Sequence, residues 1–121
     1  QALRTMECYQ EAVEPLKGVV KLQPGDVRAW LALGWCYKRL DRLDLAIDAL
    51  EEAFSVDSDQ AIIHYNLACY WSLASNVGLT LAHLAKAIEM NSAYRGMVAS
   101  EPDFDGVRSH PEFMALTAAI A

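Results

Sequence analysis

The stretch that decides the fold runs from Trp30 to Tyr37 and reads Trp-Leu-Ala-Leu-Gly-Trp-Cys-Tyr. It lies in a segment, 27–40, where apolar residues recur every three or four positions, which predicts an amphipathic helix. The pattern returns 34 residues further along the chain, where Leu67 matches Leu33 and Ala68 matches Gly34. A small residue at this position allows two helices to approach closely. The period therefore predicts helix hairpins that stack on one another.

The second helix of each hairpin carries the same period. Small or apolar residues occupy matching positions in three copies: Ala12, Ala46 and Thr80; Leu16, Leu50 and Leu84; Val19, Ala53 and Ala87. Further helices are predicted over 3–22, with Pro15 expected to bend it, over 61–74, and from Asn76 to about 90. Asp26, Asp41 and Asn76 are expected to be helix N-caps. No stretch alternates apolar and polar residues, so an all-α domain without strands is predicted.

The pattern Trp30-x2-Leu33-Gly34-x2-Tyr37, followed by Ala46, Leu50 and Ala53, resembles the tetratricopeptide repeat (TPR) signature. The resemblance covers 27–60 well. It covers 61–94 in a degraded form, with His64 replacing the tryptophan and Thr80 replacing the alanine. It implies a right-handed superhelix of antiparallel helix hairpins.

The two ends of the chain complete one TPR-like domain spanning 1–121. Residues 1–26 resemble the second helix of a partial repeat, whose first helix is either cut off or replaced by one longer helix. Residues 95–121 resemble the capping segment that follows the last repeat of bacterial TPR proteins. We therefore interpret the chain as a C-terminal fragment of a bacterial-type TPR protein, lacking an unknown number of upstream repeats.

Composition limits the partners. The chain has ten Lys and Arg residues against sixteen Asp and Glu residues, a net charge of −6. This charge disfavours binding to nucleic acid and to anionic membranes. No apolar run approaches the ~20 residues of a membrane span. Three cysteines without a CxxC pair favour a reducing compartment, and the location predicted is cytoplasmic.

No constellation of residues predicts chemistry. His64, His83 and His110 have no partner at metal-ligand spacing, and no metal or other cofactor is expected. Asp103 fails as the start of a calcium loop, because Met114 stands where its glutamate belongs. Phosphate-binding loops and nucleophile motifs are also missing, so no enzyme is predicted. The acidic run from Asp41 to Asp59 is interpreted as a solvated face, with docking of a basic partner as the alternative.

The resemblance implies a concave groove lined by the first helix of each repeat. The candidate peptide-binding residues are Arg28, Leu31, Trp35, Lys38, Arg39, Ile62, Tyr65, Asn66, Cys69 and Leu73. Trp35 beside basic residues suits an extended peptide with an apolar anchor and an acid. Packing under the preceding helix is the alternative for Trp35, and a solvated side chain is the alternative for Asn66.

Asn66 matches an asparagine that some TPR domains use to clamp the C-terminal carboxylate of chaperone peptides. Leu31, Trp35, Gly96 and Ser100 do not match the other clamp positions, which argues against such a clamp. The function predicted is a non-enzymatic interaction module that binds a peptide or protein segment. One alternative is a structural spacer, or an oligomerisation unit that self-associates through the N-terminal helix (Leu3, Met6 and Tyr9). Another is docking to a catalytic domain encoded upstream.

Overall fold

The structure is a computed structural model that describes residues 2–118, with side chains described from Met6 onward. Within that range it contains helices and no strand, which confirms the all-α prediction. The α-helices are α1 (Ala2–Leu22), α2 (Val27–Arg39), α3 (Leu43–Val56), α4 (Ala61–Leu73), α5 (Val77–Met90), α6 (Ala93–Met97) and α7 (Pro111–Thr117). Two 3-10 helices, Val98–Ser100 and Pro102–Val107, lie between α6 and α7. The chain divides into two compact units, the first ending at Gln60 and the second beginning at Ala61.

In the first unit, α2 and α3 form a hairpin and α1 packs against α2. α1 is one helix through Pro15, so residues 2–22 form a single long helix rather than a hairpin. The core consists of the apolar residues that the periodicity marks as inward-facing. They include Val13, Val20, Leu33, Ala46, Leu50 and Ala53, each at most 9% exposed.

Gly34 is the point of closest approach between α2 and α3. A Cβ atom placed on Gly34 would collide with Leu50 Cδ2 and would lie 3.3 Å from the carbonyl oxygen of Ala46. Leu50 and Ala46 are both fully buried, so neither has free space to move into. A Cβ atom at Gly34 therefore requires Leu50 to shift within a packed core.

The turn between α2 and α3 differs from the prediction. Asp41 does not cap α3. It adopts a left-handed conformation with φ of 62°, and the N-cap is Arg42, which makes no side-chain capping bond. At the equivalent turn of the second repeat Ser75 has φ of 64°, and Asn76 after it is the predicted cap, accepting a hydrogen bond from Leu79 N at 3.0 Å. The chain reverses direction at the left-handed residue, so capping falls to the residue after it.

The second unit contains the α4–α5 hairpin and the segment that follows it. Leu67, Ala68 and Leu84 are fully buried between the two helices. Thr80 is also fully buried, and its hydroxyl donates to the carbonyl of Asn76 at 2.7 Å. The buried hydroxyl is thereby satisfied where the first repeat has an alanine.

The 3-10 helix Pro102–Val107 packs on α4. Phe104 is its anchor, being fully buried with ring centroids 5.8 Å from Tyr65 and 5.6 Å from Phe113. Arg108 holds the segment together by donating to the carbonyls of Val98 and Glu101 at 2.9 and 2.6 Å.

Candidate peptide-binding surface

The orientation of α2 is set at its first turn. Asp26 caps the helix as predicted, its carboxylate accepting from Ala29 N at 3.1 Å. Trp30 Nε1 donates to the carbonyl of Pro24 at 2.8 Å, which fixes the preceding turn to the helix. Leu33 and Gly34 face the core, and this turns Trp35 to the outside.

Trp35 lies at the centre of a group of cationic and aromatic side chains, which we call the Trp35 cluster: Tyr9, Trp35, Lys38 and Arg39. Its side chain is 46% exposed. Lys38 Nζ lies 4.8 Å from the centroid of the Trp35 ring, and Arg39 Cζ lies 5.8 Å from it. Arg39 also lies 5.7 Å from the ring of Tyr9 on α1. These are cation–π distances, and the exposed part of the Trp35 ring remains accessible to a ligand.

The two other candidates on α2 differ in how far their side chains are exposed. Leu31 lies one turn before Trp35 and is half-buried, whereas Arg28 is exposed at the first turn of the helix. Together with Lys38 and Arg39, they add an apolar side chain and three cations to the helix that carries Trp35. Such a surface suits an anionic ligand with an apolar group.

The candidates on α4, in the second unit, fall into two sets. Ile62 and Leu73 are exposed and Asn66 is half-buried. Tyr65 and Cys69 are only 4% and 3% exposed. A peptide therefore cannot contact Tyr65 and Cys69 as the chain is folded.

The segment 101–107 of the chain itself covers Tyr65 and Cys69. Phe104 lies against Tyr65, and Ser72 Oγ donates to the carbonyl of Asp103 at 2.7 Å. Tyr65, Cys69 and Ser72 occupy the repeat positions that Leu31, Trp35 and Lys38 occupy on α2. Sequence periodicity places these residues on the right face of α4, but it carries no information on what folds over that face.

A cavity of about 340 Å³ opens on the opposite side of α2. Its apolar floor includes Trp30, Leu33 and Tyr37, which the periodicity assigns to the hairpin core. Lys17 and Lys21 of α1 form one wall, and Asp48 and Glu52 of α3 contribute to the other. The sequence does not predict this cavity, because residues at packing positions rarely leave a gap.

The acidic residues of α3 occupy its outer side. Asp44, Asp48, Glu51 and Glu52 are exposed, and Asp44 pairs with Arg42 at 3.3 Å. The hydrogen bond from Arg42 lowers the pKa of the Asp44 carboxyl. This arrangement is that of a solvated face.

Two histidines that are far apart in the sequence meet in the second unit. His64 Nδ1 and His83 Nδ1 lie 3.2 Å apart, so one ring donates to the other and at least one is neutral. Burial and the neighbouring His64 lower the pKa of His83. Trp30 and Ala49, which occupy the same positions of the first repeat, both line the cavity in the first unit. That shared register is the signal that places His64 opposite His83.

None of the helices that the structure describes has the length and apolar content needed to cross a membrane. Residues 5–68 match the family model described as tetratricopeptide repeat. No curated protein matches the chain.

Two of the solved structures that share the fold of this chain are structures of MamA. The MamA RS-1 ArsTM double mutant aligns with a TM-score of 0.68 at 25% identity, over 76% of this chain and 51% of that one. The structure of MamA from residue 41 to the end, from Desulfovibrio magneticus RS-1, aligns with a TM-score of 0.68 at 25% identity. This alignment covers 75% of this chain and 51% of the MamA chain. The chain thus spans about half the length of these proteins. The repeat signature, the helix hairpins and a family match over more than half of the residues agree, and the chain belongs to the tetratricopeptide repeat family.

Proposed function

We propose that this chain is a non-enzymatic protein-interaction module that binds an acidic peptide segment carrying an aromatic or other apolar anchor. The Trp35 cluster is the observation that carries the proposal. Trp35 is large, about half exposed, and bordered by Lys38 and Arg39 at cation–π distance. Tryptophan and arginine are enriched among residues that dominate binding energy in interfaces.

The second unit supplies a precedent for the chemistry of the ligand. The segment Glu101-Pro102-Asp103-Phe104-Asp105 lies on α4, where it covers the positions equivalent to Leu31 and Trp35. It combines one buried aromatic ring with three acidic residues. On α2 the equivalent face adds Lys38 and Arg39, which complement such acids better than the uncharged Ser72 of α4 does.

Selection from a random peptide library tests the proposal. Immobilised wild-type chain is compared with Trp35→Glu and with Leu79→Glu, a control at an exposed leucine of α5. We expect wild type and the control to enrich peptides with an aromatic residue flanked by acids, and Trp35→Glu to lose that enrichment. Equal enrichment by all three proteins would refute binding at the Trp35 cluster.

The cavity beneath Trp30 and Tyr37 gives the same selection a second discriminating variant. Leu45 of α3 lines this cavity and does not belong to the Trp35 cluster. If Leu45→Glu abolishes enrichment while Trp35→Glu preserves it, the ligand site is the cavity rather than the Trp35 cluster.

Self-association is the second candidate function, and exposed apolar side chains of α1 favour it. Met6, Val19 and Leu22 are 43%, 37% and 85% exposed. Leu3, which shares the apolar stripe of Met6 and Tyr9 in the sequence, lies outside the residues whose side chains are described. Sedimentation velocity over a hundredfold range of concentration separates the candidates. A shift to dimer that Met6→Glu with Leu22→Glu abolishes would favour an oligomerisation unit.

A further inference from the structure

Three metal-ligating side chains converge where the segment after α6 crosses α4. The ligand atoms of Cys69, Glu101 and Asp103 all lie within 4.8 Å of one another. Cys69 is buried, and the two carboxylates are half-buried. The cysteine is far from the two acids in the sequence, so the cluster could not be predicted from a metal-ligand spacing.

Glu101 is held in place by the backbone around it. Its carboxylate Oε2 accepts a hydrogen bond from Asp103 N at 3.2 Å, which caps the 3-10 helix Pro102–Val107. Its carbonyl accepts from Arg108 at 2.6 Å. The rest of the carboxylate, with several lone pairs, stays available, since a carboxylate accepts up to about four bonds. Hydrogen-bonded carboxylates of this kind are common around metal ions.

Tyr65 provides an independent observation that points to a ligand at this place. It lies one helical turn before Cys69 on the same face of α4, and its side chain is 4% exposed. Its hydroxyl has no hydrogen-bond partner among the residues that the structure describes. A buried hydroxyl without a partner is costly, and in native proteins a water or an ion usually satisfies it.

The Tyr65 hydroxyl and the three ligand residues are close enough to interact electrostatically. Burial raises the pKa of this phenol, and the nearby groups of Cys69, Glu101 and Asp103 raise it further. A protonated phenol carries a hydrogen-bond donor, which no residue that the structure describes accepts.

We propose that Cys69, Glu101 and Asp103 form a binding site for a zinc-like divalent cation, with a water as the fourth ligand and Tyr65 donating to that water. One thiolate and two carboxylates match the ligand preferences of Zn²⁺, and they disfavour Mg²⁺ and Ca²⁺, which take oxygen ligands alone. Ionised groups this close repel one another, and a divalent cation removes the repulsion. With Zn–S of about 2.3 Å and Zn–O of about 2.0 Å, sulfur and oxygen ligands stand about 3.5 Å apart, so the cluster has to contract by about 1 Å.

Such an ion would join α4 to the segment 101–107. Cys69 belongs to the helix, and the two carboxylates belong to the start of the 3-10 helix that covers it. Binding would then stabilise the folded chain, because the site does not exist in the unfolded one. The inference is independent of peptide binding at the Trp35 cluster, which belongs to the other unit.

Titration of the chelator-treated full chain with ZnCl₂ tests the site by calorimetry and thermal unfolding. We expect one equivalent to bind and to raise the melting temperature. Cys69→Ser and Glu101→Gln should weaken binding at least about 100-fold, and Tyr65→Phe by about 10- to 100-fold, the usual effect of losing a group that orients a metal ligand. Cys8→Ser, which removes the exposed cysteine of α1, is the matched control and should bind zinc as wild type does.

Cadmium gives a second measurement, and it uses only variants that are expected to fold. Cd²⁺ bound to Cys69 produces an ultraviolet thiolate-to-cadmium charge-transfer band, which should be present in Cys8→Ser and missing in Glu101→Gln at low cadmium concentration. Glu101→Gln keeps the oxygen that caps the 3-10 helix, so it should fold even if Cys69→Ser does not. No stoichiometric binding by wild type, or zinc affinity unchanged in Glu101→Gln, would overturn the proposal.

Discussion

Replacing Gly34 tests the closest helix contact of the first unit. In Gly34→Ala the new Cβ meets Leu50 Cδ2 and lies 3.3 Å from the carbonyl oxygen of Ala46. Overpacking of this kind costs about 1–3 kcal/mol. Alanine regains about 1 kcal/mol of helix propensity relative to glycine. The net expectation for Gly34→Ala is a loss of about 0–2 kcal/mol.

Gly34→Val adds two more methyl groups at the same contact. Leu50 and Ala46 are fully buried, so the extra volume cannot be relieved by a side chain swinging into solvent. The rigid, branched side chain also has a lower helix propensity than alanine. We expect Gly34→Val to lower the free energy of unfolding by about 2–4 kcal/mol, at the upper end of overpacking costs.

Gly18→Ala is the matched control for both variants. Gly18 lies within α1, is exposed, and has no atom within 4 Å of the position that a Cβ would take. The same substitution should there stabilise the chain by about 0.5–1 kcal/mol. Urea denaturation followed by circular dichroism measures all three. A loss below about 1 kcal/mol for Gly34→Val, or equal effects of alanine at Gly18 and Gly34, would refute the close packing of the α2–α3 hairpin.

Four further substitutions or conditions test other parts of the chain. Arg42→Asn should raise the free energy of unfolding by about 0.5–1 kcal/mol in urea denaturation, because it supplies the side-chain cap that α3 lacks and α5 has. Phe104→Ala should cost about 3–5 kcal/mol in the same assay, since the ring is fully buried between α4 and α7. Burial lowers the pKa of His83, and the neighbouring His64 lowers it further, so the unfolded chain binds a proton at His83 more readily than the folded chain does. The melting temperature should therefore fall as the pH drops below about 6.5. His83→Asn should remove that part of the pH dependence. Asn66→Ala should leave the melting temperature unchanged in thermal unfolding, and a large decrease would show that Asn66 is structural.

Periodicity predicts α2 and α3 well because each of them packs along a single apolar stripe. Leu33 and Leu50 have to face inward at their spacing, and the structure buries both. The prediction is wrong at Asp41, where residue type suggests a cap. The cap position depends on which residue takes the left-handed conformation, and this is a property of the turn as a whole.

The candidate peptide-binding residues illustrate the same limit. Their phase on α2 and α4 follows from the repeat, so Trp35 and Tyr65 are both expected on the groove face. Trp35 is 46% exposed and Tyr65 is 4% exposed, because Phe104 packs on the latter. Nothing within one repeat encodes that difference, since it arises from a segment that follows the last repeat.

Periodicity gives only some of the contacts between chemically reactive side chains, for a related reason. His64 and His83 replace Trp30 and Ala49 of the first repeat, and Tyr65 and Cys69 replace Leu31 and Trp35. The family signature scores the replacement of Trp30 as degradation of the second repeat and leaves the other three positions unspecified. In the structure they gather into two polar groups, a histidine pair and the residues around Cys69.

The differences between the second repeat and the first therefore have a chemical interpretation. Buried polar residues cost stability unless they find partners, and a repeat that only needed to pack would keep Trp and Leu at these positions. A double variant addresses this directly: Tyr65→Leu with Cys69→Trp restores the residues of the first repeat on α4. If those positions served packing alone, the restored chain would keep its stability and its zinc response would match wild type. We expect instead that the response to zinc is lost. The tryptophan side chain would fill the space that separates the Cys69 thiol from the two carboxylates in the wild-type chain, so the segment 101–107 would no longer fit over α4.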